Sequence, residues 1–136
     1  MNKLFKLNVL LVFVITALLG CAKDKETLPN LEGNWELRET VNGQTGIVSE
    51  LPAGNGTYIQ FSANEFKRFQ DGELINEGTY TLYKYNTKIT QKEAYKIAFN
   101  NNDPFSISTY YTIKNNELVI TEDAYDAPAS IYMKIL

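Results

Sequence analysis

After Pro29 the chain alternates between apolar and polar residues in short runs, which Gly, Asn and Asp interrupt. Apolar residues at every second position predict strands with one buried face, and no run has the spacing of an amphipathic helix. Most connections are only a few residues long and carry turn residues, as at Ala63-Asn64, Asp71-Gly72 and Asn115-Asn116, which favours antiparallel pairing between sequence neighbours. The pattern predicts eight strands: Asn34–Val41, Gly56–Ser62, Glu65–Gln70, Glu73–Tyr83, Ala94–Asn100, Ser106–Lys114, Glu117–Thr121 and Ser130–Leu136.

The same alternation assigns faces within the strands. In the first strand it places Trp35, Leu37 and Val41 on one side. The long fourth strand changes phase before Tyr80, and Gly78 is a natural site for a bulge there. Eight strands in hairpin order form either a closed up-and-down barrel or a two-sheet sandwich, and the tight sequential turns favour the barrel. The expected fold class is therefore an all-β, eight-stranded antiparallel up-and-down barrel.

The first 20 residues follow another pattern. Lys3 and Lys6 precede an apolar run, Leu7–Leu19, that is shorter than the roughly 20 residues of a membrane-spanning helix. The run ends in Leu18-Leu19-Gly20-Cys21, which resembles the lipobox of bacterial lipoproteins.

The lipobox resemblance implies where the protein is located. It implies a cleaved signal peptide (residues 1–20), an acylated Cys21 with chains of the palmitate type, and a partner membrane reached through those chains. Two or more acyl chains anchor a protein stably, whereas one is marginal. Residues 21–31 are then the acylated Cys and a flexible tether, and residues 32–136 are the barrel domain. We expect a lipid anchor in the cell envelope, at the outer membrane, facing either the periplasm or the surface.

Composition excludes several classes of function. Loss of Lys3 and Lys6 with the signal peptide would change the formal net charge from −3 to −5, and an acidic chain without a Lys/Arg cluster is a poor nucleic-acid binder. The chain has one Cys and no His, which excludes a disulfide, Ser-His-Asp and Cys-His catalysis and the usual zinc sites. We expect no enzyme activity, no catalytic residue and no cofactor.

The acidic residues Glu122, Asp123 and Asp126 lie together between two predicted strands. A hard cation needs more oxygen ligands at defined spacing than this loop offers. A solvated acidic loop explains the three residues, and we expect no metal site.

Leu31-Glu32-Gly33-Asn34-Trp35 resembles the Gly-x-Trp signature of the lipocalins and the wider calycins, at the opening of the first strand of an eight-stranded meander. The resemblance implies that Trp35, after Gly33, closes one end of the barrel and that a basic residue near the last strand lies across the indole. Lys134 is at the matching place, although strand parity leaves Met133 as an alternative on the inner face. Asn64-Glu65-Phe66 and Glu77–Leu82 also have counterparts in short bacterial lipocalin-like lipoproteins.

The barrel interior decides between two functions. Nine tyrosines and one tryptophan suit a pocket that is apolar with a few polar groups, and they also suit a barrel filled by its own side chains. The loop Asn42–Asn55 is either a lid over the barrel mouth or a surface loop. Inward alternation selects as ligand-binding candidates Phe61, Tyr80, Leu82, Phe99, Ile107 and Tyr111.

We therefore expect a membrane-anchored, lipocalin-like lipoprotein that binds a small apolar or amphipathic molecule at the cell envelope. The alternative is a filled barrel that serves as an accessory subunit, an inhibitor or another interaction module without a small ligand. The sequence names no protein partner. An enclosed interior volume of roughly 300 Å³ or more would favour the ligand.

Overall fold

The computed structural model describes residues 28–100 and 109–136, and within these ranges the regular secondary structure is entirely β. Accordingly, these ranges contain no helix of the length and apolarity needed to cross a membrane. All eight predicted strands are present, with ends shifted by a few residues, and a short additional strand lies in the 42–55 loop. The strands are β1 (Gly33–Val41), β2 (Val48–Glu50), β3 (Tyr58–Ser62), β4 (Glu65–Gln70), β5 (Glu73–Asn86), β6 (Glu93–Phe99), β7 (Thr109–Lys114), β8 (Glu117–Glu122) and β9 (Ala129–Ile135).

The strands close into an antiparallel barrel. From β3 to β9 each strand pairs with the next, β3 pairs with β1, and β9 returns to pair with β1. This closure confirms the barrel and excludes the open sandwich. The additional strand β2 pairs with Glu39–Val41, on the side of β1 whose first half pairs with β3.

Two of the predicted hairpin turns have the backbone that a tight turn requires. Asp71 and Gly72 between β4 and β5 both have positive φ, as do Asn115 and Asn116 between β7 and β8. Two consecutive residues with positive φ define the type I′ turn, whose twist matches that of the strands it joins. The Asp-Gly and Asn-Asn signals in the sequence therefore gave the correct connections.

A β-bulge changes the face assigned to Val41. The pairing of β1 with β9 shifts between Leu37 and Glu39, so that Thr40, opposite Ser130, lies on the face of Trp35 and Leu37. Val41 pairs with Ala129 on the other face. Its predicted place beside Trp35 is wrong, because the bulge inserts one residue and reverses the alternation after it.

The phase change in the long strand also lies away from the predicted position. The shift in the β4–β5 ladder falls between Arg68 and Phe69 and leaves Ile75 as the extra residue on β5. Gly78 has a different role, because a Cβ there would collide with the side chain of Asn100. Asn100 Oδ1 accepts a hydrogen bond from Thr79 N at 3.1 Å, so the absence of a side chain at Gly78 allows this close approach.

The hydrophobic core lies inside the barrel and includes one residue that precedes the first strand. Leu31, at the end of the expected tether, is 1% exposed and packs in the core. The segment before β1 therefore contributes to the core from residue 31 onward. The buried core residues are Leu31, Trp35, Ile59, Phe61, Phe66, Tyr80, Ile97, Tyr111 and Leu118.

Candidate functional site

Trp35 and Lys134 are in contact at one end of the barrel. They are direct partners in the β1–β9 ladder, so their side chains lie on the same face. Lys134 Nζ is 5.2 Å from the centroid of the indole ring, which is within the range of a cation–π interaction. Met133 pairs with Glu36 on the opposite face and is 37% exposed, so Lys134 is the residue that contacts the indole.

Gly33 makes this contact feasible. Its φ of +123° is a conformation that residues with a side chain rarely adopt, and a Cβ at this position would lie 2.8 Å from Lys134 Cε. The spacing of the Gly-x-Trp motif thus has a local explanation: the glycine leaves room for the lysine that covers the tryptophan two residues later.

Two aromatic side chains are bonded to backbone at the same end. Trp35 Nε1 donates a hydrogen bond to the carbonyl oxygen of Leu31 at 2.7 Å, which ties the segment before β1 to the core. Tyr80 Oη donates to the carbonyl oxygen of Ala63 in the β3–β4 turn at 2.7 Å, and its ring meets Phe61 edge to face at 4.9 Å. The polar atoms of Trp35 and Tyr80 are thus satisfied by backbone, as burial requires.

Five of the six predicted ligand-binding residues lie together on the inner face of the barrel. Phe61, Tyr80 and Tyr111 are buried, whereas Leu82 and Phe99 are partly exposed and pack against them. Ile107 lies outside the described residues, as does Cys21. The other partly buried members of the same cluster are Tyr95, Ile113, Ile120 and Tyr132. The inner face therefore carries both fully buried and partly exposed apolar side chains.

Tyr111 carries an unusual polar group. The residue is 0% exposed, and within the described part of the chain its hydroxyl has no hydrogen-bond partner. Burial raises the pKa of this phenol, and the nearby Tyr95 and Tyr80 raise it further. An unpaired buried hydroxyl destabilises the fold, because it has lost its bonds to water without replacement.

The interior also holds a charged residue that the sequence analysis did not select. Arg68 pairs with Ile59 in the β3–β4 ladder and so faces inward with it. Its guanidinium carbon lies 4.4 Å from the ring centroid of Phe99 and 5.4 Å from that of Phe66. Its Nε atom is buried, and no acceptor among the described residues bonds to it. Arg68 lies two residues after Phe66 in the predicted strand, so the alternation of that strand was the signal that could have placed Arg68 on the inner face.

Side chains from β1 hold the 42–55 loop against the barrel wall. Glu36 is buried, and its Oε1 accepts a hydrogen bond from Gly54 N at 2.8 Å. Arg38 Nε lies 2.9 Å from Glu36 Oε2, an ion pair by distance in which the N–H is not aimed at the oxygen. Asn55 Nδ2 donates to the carbonyl oxygens of Leu37 at 2.8 Å and Pro52 at 2.7 Å. Through these bonds and β2, the loop extends the wall beside β1.

The acidic loop after β8 organises a neighbouring turn. Asp123 Oδ2 accepts hydrogen bonds from Lys88 N and from Tyr85 Oη, each at 2.6 Å. These bonds lower the pKa of the Asp123 carboxyl, the Lys88 amide contributing most. Among residues 28–100 and 109–136, no three His, Cys, Asp or Glu side chains are grouped as metal ligands would be.

Comparisons of the chain with protein-family models, with curated proteins and with solved structures found no match in any of the three.

Proposed function

We propose that the protein is a membrane-anchored, lipocalin-like lipoprotein whose barrel binds one small apolar or amphipathic molecule at the cell envelope. The observation that carries the proposal is the continuous apolar inner face of the closed barrel, part of which is partly exposed. Trp35 and Phe61 are fully buried in this cluster, while Leu82 and Phe99 are partly exposed in it. A barrel interior lined by aromatic side chains suits a small molecule that binds mainly by burial of apolar area.

The anchor is the first part to test. Leu18–Cys21 resembles the lipobox of bacterial lipoproteins. In a chain processed as those proteins are, Cys21 is acylated and residues 1–20 are removed. The mature protein should then partition into detergent and gain the mass of its acyl chains. Replacement Cys21→Ser should leave an uncleaved precursor. A mature chain without acyl mass would contradict the anchor and leave the barrel's ligand to be tested separately.

The ligand is tested with the neutral dye N-phenylnaphthylamine, whose fluorescence rises in apolar surroundings, on the chain from Ala22 onward. The wild type should bind the dye in a saturable way. Leu82→Asp places a charge on the inner face and should weaken binding by about tenfold or more, since a buried unpaired carboxylate is costly. Tyr83→Asp is the matched control, because Tyr83 is the next residue on β5 and is 52% exposed.

A second variant covers the outcome in which Leu82→Asp does not fold. Leu82→Trp stays apolar and fills space, and it should also weaken dye binding while circular dichroism remains that of the wild type. Native mass spectrometry of the protein from its own host should in addition show a retained small molecule. A folded wild type that binds no dye and retains no molecule would refute the proposal.

One observation favours the second candidate, a filled barrel that acts as an interaction module. Phe61, Tyr80 and Tyr111 are buried by their own neighbours, so this part of the interior is already packed. If that packing continues to the other end, no dye will bind, and the protein acts through its surface as an accessory subunit or inhibitor.

A further inference from the structure

Arg68 places a positive charge among aromatic side chains on the inner face of the barrel. Its ladder partners are Ile59 on β3 and Asn76 on β5, neither of which is charged. Its guanidinium contacts the rings of Phe66 and Phe99, which attract a cation but offer no conventional hydrogen-bond acceptor.

The charge of Arg68 has no counter-ion in the described part of the chain. The ion pairs described for residues 28–100 and 109–136 are Arg38–Glu36, Lys67–Glu77 and Lys84–Glu93. None of them includes Arg68, and its Nε has neither solvent contact nor an acceptor among the described residues. A buried Nε donor in this state is destabilising, so its presence calls for an acceptor from outside the described residues.

The phenol of Tyr132 lies close enough to Arg68 for the positive charge to affect its pKa. Burial raises the pKa of Tyr132, while the positive charge of Arg68 and a hydrogen bond with Ser130 oppose the rise. Tyr132 and Ser130 share the inner face of β9, because they are two residues apart on one strand. The surroundings of Arg68 thus combine one fixed cation, two hydroxyl groups and aromatic rings.

We infer that Arg68 binds the anionic headgroup of the barrel's ligand, which is a small amphiphile with a single negative charge, such as a carboxylate, on an apolar body. The inference rests on the proposed function and adds the chemical class of the ligand. A carboxylate matches the planar donors of a guanidinium, and charge-assisted hydrogen bonds of this kind are among the strongest in proteins. A doubly charged phosphate would meet only one cation here.

The test compares two dyes that differ by one charged group. Anilinonaphthalene sulfonate carries an anionic group that N-phenylnaphthylamine lacks, and both report an apolar site by fluorescence. In Arg68→Gln the affinity for the sulfonate should fall about tenfold or more, the loss expected for a bond to a charged group. Affinity for the neutral dye should change by less than about twofold. Lys67→Gln is the control, because Lys67 is the neighbouring residue on the outer face and pairs with Glu77.

The headgroup is tested by competition. Decanoate should displace the sulfonate dye from the wild type at a lower concentration than decanol does, and Arg68→Gln should abolish this difference. If decanoate and decanol compete equally in the wild type, the inference is wrong.

Stability separates this role from one in packing. Removal of an unpaired buried charge should leave the melting temperature of Arg68→Gln unchanged or raise it. A lower melting temperature together with unchanged dye selectivity would assign Arg68 to packing against Phe66 and Phe99. Equal weakening of both dyes would also overturn the inference. If the wild type binds the neutral dye but Arg68→Gln leaves the affinity for both dyes unchanged, only this inference is refuted. If the wild type binds neither dye, the proposed function is refuted as well.

Discussion

Trp35 connects three parts of the chain at the scale of single residues, since it contacts Leu31, Ile59 and Lys134. Trp35→Ala should lower the free energy of unfolding by about 3–5 kcal/mol, as large-to-small core substitutions do. Lys134→Ala should cost less, because the contact with the indole is worth about 0.5–1 kcal/mol at an exposed site.

Urea denaturation of the two single variants and the double variant measures this contact directly. The double variant should be more stable than the sum of the single losses implies. Lys114→Ala is a matched control, because Lys114 is an exposed lysine on β7, and its effect should add to that of Trp35→Ala. Additivity within about 0.5 kcal/mol for the Lys134 pair would show that the contact contributes nothing.

Gly33 gives a second prediction at this scale. Gly33→Ala should destabilise the fold by about 1–3 kcal/mol, because it combines an unfavourable φ with a clash against Lys134. In a Lys134→Ala background the same change should cost less, since only the backbone strain remains. Thermal unfolding of the four proteins tests this, and an equal cost in both backgrounds would contradict the clash.

The buried phenols predict how stability depends on pH. Burial raises the pKa values of Tyr80, Tyr111 and Tyr132 above the ordinary value of 10.0. The unfolded chain therefore releases its phenolic protons first, and the free energy of unfolding should fall as pH rises above about 10.

Tyr111→Phe isolates one of these phenols. It should be as stable as the wild type or more stable at neutral pH, since it removes a hydroxyl with no partner among the described residues. It should also lose less stability above pH 10. Tyr125→Phe is the control, because Tyr125 is 82% exposed. Urea midpoints between neutral and alkaline pH supply the measurement, and a clear loss of stability in Tyr111→Phe at neutral pH would contradict it.

At the scale of the elements, Asp123 links the end of β8 to the turn between β5 and β6. Asp123→Ala should accelerate hydrogen exchange of the Lys88 amide, because that amide loses its acceptor. Glu122→Ala, at the last position of β8 beside Asp123, is the control. The pKa of Asp123 is lowered from 3.8, so the bond should persist on acidification until the pH falls below that value. Unchanged exchange at Lys88 in Asp123→Ala would refute the link.

The strands also show which features of the fold could be predicted from the sequence. Short turns and alternation were sufficient for eight strands and for their antiparallel order. β2 was missed because three residues in a loop rich in Gly and Pro give no periodic signal, and β2 depends on pairing with β1 and on the anchoring of the loop by Glu36 and Asn55. Bulges were misplaced because a bulge depends on the register of two strands, which neither strand specifies alone.

The candidate site was predicted in the same uneven way. Trp35 and Lys134 were found because the resemblance to the Gly-x-Trp signature points to them, although strand parity had left Met133 as an alternative to Lys134. Arg68 was missed because its partner Phe99 is on β6, two strands away from β4. Contacts across an intervening strand depend on the curvature of the whole sheet, which alternation within one strand cannot report.

At the scale of the whole molecule, the Trp35 end of the barrel is the end nearer in sequence to the proposed anchor. The chain enters β1 at Gly33, next to Trp35, so residues 22–30 would join the acylated Cys21 to the Trp35 end. Nine residues span at most about 30 Å, which would keep this end near the bilayer. The opposite end, which contains the β4–β5 turn, would face away from it.

Fluorescent labels at the two ends test this orientation. Asn116→Cys places a label at the Trp35 end, because the Asn116 carbonyl oxygen accepts a hydrogen bond from Lys134 N at 2.9 Å. Glu73→Cys places one beside the opposite turn. In the acylated protein on vesicles, energy transfer to a lipid dye should be stronger from position 116 than from position 73. Equal transfer would mean that the tether lets the barrel rotate freely.

The long strand β5 belongs to two hairpins. Its first half, Glu73–Thr79, pairs with β4, and its second half, Tyr80–Asn86, pairs with β6. At the junction, Asn100 Oδ1 accepts a hydrogen bond from Thr79 N, and the Asn64 carbonyl oxygen accepts one from Tyr80 N. The two hairpins are therefore joined by the covalent backbone of one strand, so a proteolytic cut between Thr79 and Tyr80 would disconnect the β4 hairpin from the β6 hairpin.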